Sequence, residues 1–246
     1  MARGKSCLRQ VPVLFLLHLI MTNRRQQKIF FIRHGKVDLP YRDHSEMPYE
    51  VLDDLATSTI DPGLDSTCEH LFSQVAEQLP VAEISTIYFN NSGYQSNRSE
   101  KSAQLIRGYI QRHFDRAVPL VGNSDLREVR FSVKALVTKE RFQKEGMPAI
   151  RTALYQDQID GRQSESIREL YTRINSIFTL LEKHRRLDET VLLVSHDFFM
   201  RVIDVYLNKT KKAAEVQLAD LETTALNSYF QGFGISHQLT HFKRFG

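Results

Sequence analysis

Four short apolar runs punctuate the chain, each rich in Val, Ile, Phe or Tyr. They lack the strict alternation of apolar and polar positions that marks a half-exposed strand, so they predict strands buried on both faces. The four runs are KIFFI (28–32), STIYFNN (85–91), VPLVG (118–122) and TVLLVS (190–195).

Longer segments between these runs repeat their apolar residues at the spacing of one helix face. The clearest helix is expected to begin at Ser166, which forms a capping-box pattern with Glu169. Strands that alternate with helices predict a three-layer α/β/α fold with a mostly parallel central sheet. The predicted helices span 68–79, 99–114 and 166–186.

Two further regions are harder to assign. Residues 129–163 are less regular and basic in places, and we expect an insertion or lid there. Residues 228–245 are expected to add one or two strands, one of them a candidate edge strand. No repeat or Gly/Pro/Ser-rich linker divides the chain, so one domain is expected over residues 24–246, preceded by an extension over residues 1–23.

Composition and charge narrow the function. Hydrophobic residues make up 41% of the 246 residues and charged residues 25%, an ordinary globular balance. The net charge of +4 arises in the first 28 residues, which contain six basic residues and no acid; beyond them the chain has 27 basic and 29 acidic residues. A near-neutral body does not indicate nucleic-acid binding. Cys7 and Cys68 have no metal-ligand spacing and favour a reducing compartment, so the expected location is cytoplasmic.

The N-terminal extension contains an apolar run, VPVLFLLHLIM, at 11–21. Its 11 residues are too few to cross a bilayer comfortably as a helix. Basic residues precede it as in a signal peptide, but no small-residue cleavage site follows. Three interpretations stay open: translation that starts at Met21 or an inert extension, a membrane anchor through 11–21, and a cleaved export signal.

Reactive polar residues follow each of the four apolar runs. Arg33 and His34 come directly after the first run, and Arg98 follows the second at the start of a helix. Glu128 follows the third run and His196 the fourth. Because ligands bind beyond the carboxyl ends of the strands in open α/β sheets, we expect these five side chains to share one site.

This set of residues suits phosphoryl transfer. Arginine offers a planar fork that matches phosphate oxygens, and a neutral imidazole has a lone pair that attacks phosphorus. A second, charged imidazole stabilises charge on the equatorial oxygens. A carboxylic acid with a raised pKa protonates the leaving alkoxide and contributes roughly 10²–10⁴-fold. The cations would replace a metal ion, so no metal or other cofactor is expected.

The chain resembles the histidine phosphatase (phosphoglycerate mutase-like) superfamily over residues 28–200. The Arg-His-Gly motif after the first strand is similar to the signature of that family, and four further segments occur in the family's order. The five segments are RHG (33–35), RSEKSA (98–103), LRE (126–128), SESIRELYTR (164–173) and VLLVSH (191–196).

The resemblance implies a role for each candidate residue. His34 is the nucleophile, which forms a phosphohistidine. Arg33, Arg98 and His196 bind the phosphoryl group, and Glu128 donates the proton. The family uses no metal in this chemistry, and its members have a phosphoglycerate mutase-like fold.

Three departures from the family's pattern affect the substrate and the proton donor. No Asn follows the Arg-His-Gly motif as it does in the mutases, and GLDSTCEH (63–70) replaces the usual Leu-Thr-x-x-Gly turn. Asp197 stands after His196 where Gly is usual. In the acid-phosphatase branch the Asp of a His-Asp pair is the proton donor, so Asp197 is an alternative donor. We favour Glu128.

The expected activity is hydrolysis of a small phosphomonoester through a phosphohistidine. A phosphoglycerate mutase-type phosphotransferase is the alternative within the class, and an inactive phosphate-binding or scaffold protein is the alternative outside it. Specificity is expected to reside in segments 36–66 and 129–163. The oligomeric state is left open. His237 and His241 have the i, i+4 spacing of metal ligands on a helix, but their segment predicts a strand, so we expect surface residues.

Overall fold

The structure is a computed structural model, and its described residues form an α/β fold. The expected N-terminal extension, with its apolar run at 11–21, lies outside them. The described residues are 28–42, 44, 46–225, 227–239 and 242–246.

One six-stranded sheet is present in the described part of the chain. The strands are β1 Ile29–Arg33, β2 Ile84–Phe89, β3 Leu120–Gly122, β4 Thr190–Ser195, β5 Gly232–Ile235 and β6 Lys243–Phe245. Their order is β3-β2-β4-β1-β5-β6. The pairs β1–β4, β2–β4 and β2–β3 are parallel, whereas β1–β5 and β5–β6 are antiparallel. The sheet is therefore mostly parallel, as the pattern of apolar runs predicts.

Helices cover the sheet and extend beyond its carboxyl edge. The bounds of the α-helices are α1 Tyr49–Ala56, α2 Cys68–Ala76, α3 Ser96–Phe114, α4 Val133–Leu136, α5 Lys139–Glu145, α6 Met147–Asp160, α7 Ile167–Arg186, α8 Asp197–Asn208 and α9 Leu218–Glu222. None of the helices among the described residues has both the length and the apolar character needed to cross a membrane.

The core has one apolar cluster on each face of the sheet. Successive side chains of a strand point to opposite faces, so Phe31 of β1 packs in the cluster with α7 and α8, whereas Phe30 and Ile32 pack with α2 and α3. Neither face of the central strands is left to solvent, which explains why β1 and β4 show no alternation in the sequence.

A third apolar cluster joins α1, α4 and α6, apart from the two faces of the sheet. Leu52 and Leu55 of α1 pack in it with Val133 of α4 and Ile150 of α6. This cluster brings together the two segments, 36–66 and 129–163, that are expected to determine substrate specificity.

The region 129–163 differs from its expected irregularity, because it contains α4, α5 and α6. Helix α6 has no single apolar stripe, since it packs on two sides: Ile150 belongs to the third cluster and Leu154 to the cluster beneath α7 and α8. A helix that is buried on two faces lacks the continuous polar stripe of an amphipathic helix, so the sequence pattern does not indicate it.

The remaining predicted elements are confirmed with small shifts of their ends. Helix α7 follows the capping box of Ser166 and Glu169. The strand predicted at 118–122 is shorter, and the tail provides β5 and the edge strand β6. The expectation for His237 is wrong: it lies in the turn after β5, and its side chain is only 7% exposed. His241 lies outside the described residues.

Candidate active site

The two histidines meet because β1 and β4 are adjacent parallel strands. Arg33 pairs with Ser195 in the register of the two strands, so the next residue of each chain segment leaves the sheet at the same point. The His34 and His196 rings lie with their centroids 5.0 Å apart and their planes at 57°. The separation brings both imidazoles within reach of one phosphoryl group.

His34 is held with one ring nitrogen free. Its Nδ1–H donates to the Gly35 carbonyl at 2.7 Å, which leaves Nε2 with its lone pair. Burial lowers the pKa of His34 well below its usual value, and the neighbouring His196, Arg98 and Arg33, which disfavour a second positive charge at this point, lower it further. A buried imidazole that is neutral at pH 7 has the protonation state of a nucleophile.

Gly35 fixes the loop that carries this nucleophile. Its backbone N–H donates to Ser102 Oγ at 2.8 Å, and the Ser102 hydroxyl donates to the Arg98 carbonyl at 2.7 Å. A Cβ at this position would lie 2.7 Å from Cys68 Sγ and from the Phe230 ring. Only glycine fits between α2 and this ring, which explains why the third residue of the Arg-His-Gly motif is glycine.

His196 is fully buried at the N-terminus of α8. Its Nε2 lies 3.4 Å from the Asn90 amide nitrogen, which donates, while Nδ1 has no hydrogen-bond partner among the described residues. Burial lowers the pKa of His196 well below its usual value, and Arg98 and Arg33 add to the effect. The second imidazole, which the sequence predicts to be charged, is therefore neutral here and has an N–H to donate at Nδ1.

Two arginines flank the histidines. Arg33 donates from Nη1 to the Asn227 carbonyl at 2.7 Å, and its guanidinium lies 4.5 Å from the Tyr229 ring centroid. Arg98 is buried, and its Nε lies 3.3 Å from Asp61 Oδ1. Within the described part of the chain, Arg33 Nε and Arg98 Nη2 have no hydrogen-bond partner. Guanidinium groups with buried, unused N–H donors suit an anionic ligand.

Glu128 lies against the start of α8. Its Oε1 accepts from the Phe199 N–H at 3.0 Å and its Oε2 from the Phe198 N–H at 3.3 Å. Burial raises the pKa of Glu128 to about 7, and the charge of Asp197 also raises it, against the hydrogen bonds from the backbone. A carboxyl group that holds its proton near neutral pH can serve as a general acid.

Asp197 has the opposite environment. Its Oδ1 accepts from the Asn227 backbone N–H at 2.9 Å, and its Oδ2 accepts from Arg201 Nε at 3.0 Å. Burial favours the protonated form, but Arg33, Arg201 and the hydrogen bonds outweigh it and hold the pKa of Asp197 below its usual value. Asp197 is therefore an ionised carboxylate, and the chemistry of the two acids favours Glu128 as the proton donor.

Arg173 of α7 fixes the segment before Glu128. It is buried, donates to the carbonyls of Asp125 and Arg127, and forms an ion pair with Glu165. Its guanidinium also lies 4.0 Å from the ring centroid of Phe199, whose N–H holds Glu128. Arg173 therefore contacts both the segment that contains Glu128 and the helix α8 whose backbone binds the Glu128 carboxyl group.

Except for His196, which is fully buried, the predicted site residues line one pocket of about 330 Å³. Its polar end includes Arg33, His34, Arg98, Glu128 and Asp197. Lys139 and Arg141, in the segment expected to be an insertion or lid, form ion pairs with Glu50 and Glu145 on the surface. The other lining residues are His44, Leu52, Leu55, Ala56, Gln95, Phe131, Val133, Met147, Ile150, Arg151, Phe198, Arg201, Asn227 and Ser228.

Several residues of this site are not predicted from the sequence. Asn90 could have been predicted, because it directly follows β2 at the same edge of the sheet as the other candidates. Asn227 and Tyr229 have no such signal, since they precede the antiparallel β5 in an irregular segment. The described residues contain no group of three or more His, Cys, Asp or Glu side chains arranged to hold a metal ion.

Comparison with known families places the chain. The model of the histidine phosphatase superfamily (branch 1) matches residues 29–235, which include the sheet from β1 to β5 and every candidate residue above. The chain belongs to this superfamily. No curated protein sequence matches it significantly.

Solved structures of the same fold include phosphatases and a mutase. YhfR from Bacillus stearothermophilus has 16% identity and a TM-score of 0.57, over 84% of this chain and 89% of that one. A mycobacterial glucosyl-3-phosphoglycerate phosphatase in complex with VO3 has 15% identity and a TM-score of 0.58, over 89% and 97%. Phosphoglycerate mutase from Bacillus anthracis has 16% identity and a TM-score of 0.55, over 89% and 93%. The likeness at these identities is one of fold.

Proposed function

We propose that the protein is a phosphomonoester hydrolase that acts through a phosphohistidine on His34, without a metal ion. The observation that supports it most directly is the state of His34: a neutral, buried imidazole with a free Nε2, 5.0 Å from the His196 ring and beside Arg33 and Arg98. The solved phosphatase and mutase structures share this fold, which agrees with phosphoryl chemistry at this edge of the sheet.

In the first step, the lone pair of His34 Nε2 attacks phosphorus while the bond from phosphorus to the ester oxygen breaks. The N–H groups of Arg33 and Arg98 and the Nδ1–H of His196 bind the phosphoryl oxygens, whose charge grows in the transition state. The Glu128 carboxyl group gives its proton to the leaving oxygen, and the alcohol departs.

In the second step, water attacks the phosphohistidine. The Glu128 carboxylate accepts a proton from that water, the bond between phosphorus and Nε2 breaks, and inorganic phosphate leaves. His34 returns to its neutral state and Glu128 to its protonated state, so the cycle closes. The substrate is a small phosphorylated molecule, and neither nucleic acid nor a cofactor takes part. The membrane and localisation expectations for the N-terminal extension stay predictions.

Hydrolysis of p-nitrophenyl phosphate in EDTA tests the proposal. We expect turnover by the parent protein and a loss of kcat/KM of at least about 10³-fold in His34→Ala. His70→Ala, which removes an exposed histidine of α2, is the matched control and is expected to keep parental activity.

An intermediate on His34 requires a second readout. Rapid alkaline quenching with ³²P-labelled substrate is expected to trap label on the parent protein and none on His34→Ala. Absence of turnover across several phosphomonoesters, with phosphate binding intact, would favour the binding or scaffold alternative. Transfer of the label to an added alcohol instead of water would favour the mutase-type alternative.

A further inference from the structure

The pocket is lined by two chemically different sets of side chains. One set, the phosphate end, contains the charged and titratable groups Arg33, His34, Arg98 and Glu128. The other set, the apolar wall, consists of apolar side chains from three separate segments of the chain. It is formed by Leu52, Leu55, Phe131, Val133, Met147 and Ile150.

This apolar wall is part of a packed structure. Leu52, Leu55, Val133 and Ile150 are each at most 5% exposed and belong to the third apolar cluster, against which Phe131 and Met147 also pack. The wall therefore has a fixed shape and lines the same pocket as the nucleophile. A ligand that places a phosphoryl group at His34 and fills this pocket contacts these side chains.

Several polar groups that line the pocket already have partners. The Gln95 side-chain amide donates to the carbonyls of Leu55 and Ala56 at 2.8 and 3.3 Å. The Asn227 side chain donates to Asp197 and accepts from Arg244. A polyhydroxylated body would lose its hydrogen bonds to water here and regain few of them, which is unfavourable.

From these observations we infer that the substrate is the phosphate monoester of an alcohol with an apolar body, aromatic or branched aliphatic, rather than a sugar phosphate. The inference rests on the proposed function for the phosphate end. Burial of a phenyl ring or an alkyl branch against the wall releases water from both surfaces, whereas sugar hydroxyls resist that loss.

A series of primary-alcohol phosphates tests the inference, because its members need the same proton donation. We expect kcat/KM for benzyl phosphate and 3-methylbutyl phosphate to exceed that for glycerol 1-phosphate and glucose 6-phosphate by at least about tenfold. Equal or greater turnover of glycerol 1-phosphate or glucose 6-phosphate would overturn the inference while leaving the proposed function intact.

Variants of the wall locate the preference. Leu55→Ala and Ile150→Ala are expected to lower kcat/KM for benzyl phosphate by about tenfold and to change that for glycerol 1-phosphate by less than about twofold. Val137→Ala is the control, since Val137 is buried in the same cluster but does not line the pocket. A loss of equal size for both substrates would contradict a subsite at this wall.

Binding of phosphonates separates the inference from the proposed function, because their carbon–phosphorus bond is not hydrolysed. Calorimetry is expected to show benzylphosphonate bound at least about tenfold more tightly than 2-hydroxyethylphosphonate. With that preference and no turnover of any ester, the proposed function fails and the apolar subsite stands. Equal affinity for the two phosphonates would remove the support for the subsite, whatever the turnover.

Discussion

Glu128 accepts backbone hydrogen bonds from Phe198 and Phe199, the two residues that follow Asp197, and yet the two acids have opposite pKa shifts. The pKa of Glu128 rises because the carboxyl group is buried and no cation among the described residues is paired with it. The pKa of Asp197 falls because Arg33 and Arg201 offset its burial. One acid thus keeps a proton that it can give, and the other keeps a charge that holds the arginines.

The division between the two acids predicts different effects of their amides. Glu128→Gln is expected to lower kcat/KM for an alkyl phosphate by roughly 10²–10⁴-fold and to affect p-nitrophenyl phosphate much less, because the phenolate leaves without a proton. Asp197→Asn is expected to lower kcat/KM for both substrates by a similar factor, since it disturbs Arg201 and Asn227. Steady-state kinetics with both esters measure the ratio, and the opposite pattern would assign proton donation to Asp197.

The raised pKa of Glu128 also sets the sign of the pH dependence. Glu128 gives its proton only when protonated, so kcat/KM for an alkyl phosphate should fall about tenfold per pH unit above a pH of about 7. His34 does not cause this fall, because its lowered pKa keeps it neutral at and above pH 7. A pH profile from 5 to 9 tests the limb, which is expected to disappear in Glu128→Gln. A profile that stays flat above pH 7 in the parent would contradict the assignment.

Much of the site follows from a rule about strand ends. Arg33, His34 and His196 could be predicted to meet because both apolar runs are strands of one parallel sheet, and the register of β1 with β4 places them side by side. Arg98 and Glu128 follow β2 and β3 at the same edge. For these residues, the order of elements along the chain already determines the neighbourhood.

The apolar wall could not be predicted in the same way. Its residues come from α1, α4 and α6 and from Phe131, and the spacing within each segment does not reveal that the segments pack together. The protonation state of His196 could not be predicted from the sequence either, because it depends on complete burial beside Arg98 and Arg33. Sequence spacing identifies which groups gather, whereas their protonation depends on how much water the fold excludes.

Arg173 is expected to act as a positioning residue for Glu128. Arg173→Lys keeps a positive charge for Glu165 but loses the fork that binds the Asp125 and Arg127 carbonyls. We expect kcat/KM for an alkyl phosphate to fall by about tenfold or more, and that for p-nitrophenyl phosphate to fall less, because displacement of the acid matters only where a proton is needed. Equal losses with both esters would indicate a general structural role.

The packing around Gly35 yields the last prediction. In Gly35→Ala the new methyl group would meet Cys68 Sγ and the Phe230 ring at 2.7 Å, so the loop must move away from α2. That movement carries the Gly35 carbonyl, which holds His34 Nδ1. We expect a loss of about 1–3 kcal/mol in unfolding free energy and of about 10²-fold in kcat/KM.

Gly63→Ala is the matched control for this substitution, because a Cβ at Gly63 meets nothing within 4 Å. Urea unfolding and p-nitrophenyl phosphate turnover, measured on both variants, separate crowding at the nucleophile from the general effect of replacing a glycine. Parental activity in Gly35→Ala would mean that the loop shifts without moving His34, and it would show that the hydrogen bond to the Gly35 carbonyl does not orient the nucleophile. A loss in Gly35→Ala alone would tie the position of the imidazole to the close contact between this loop and α2.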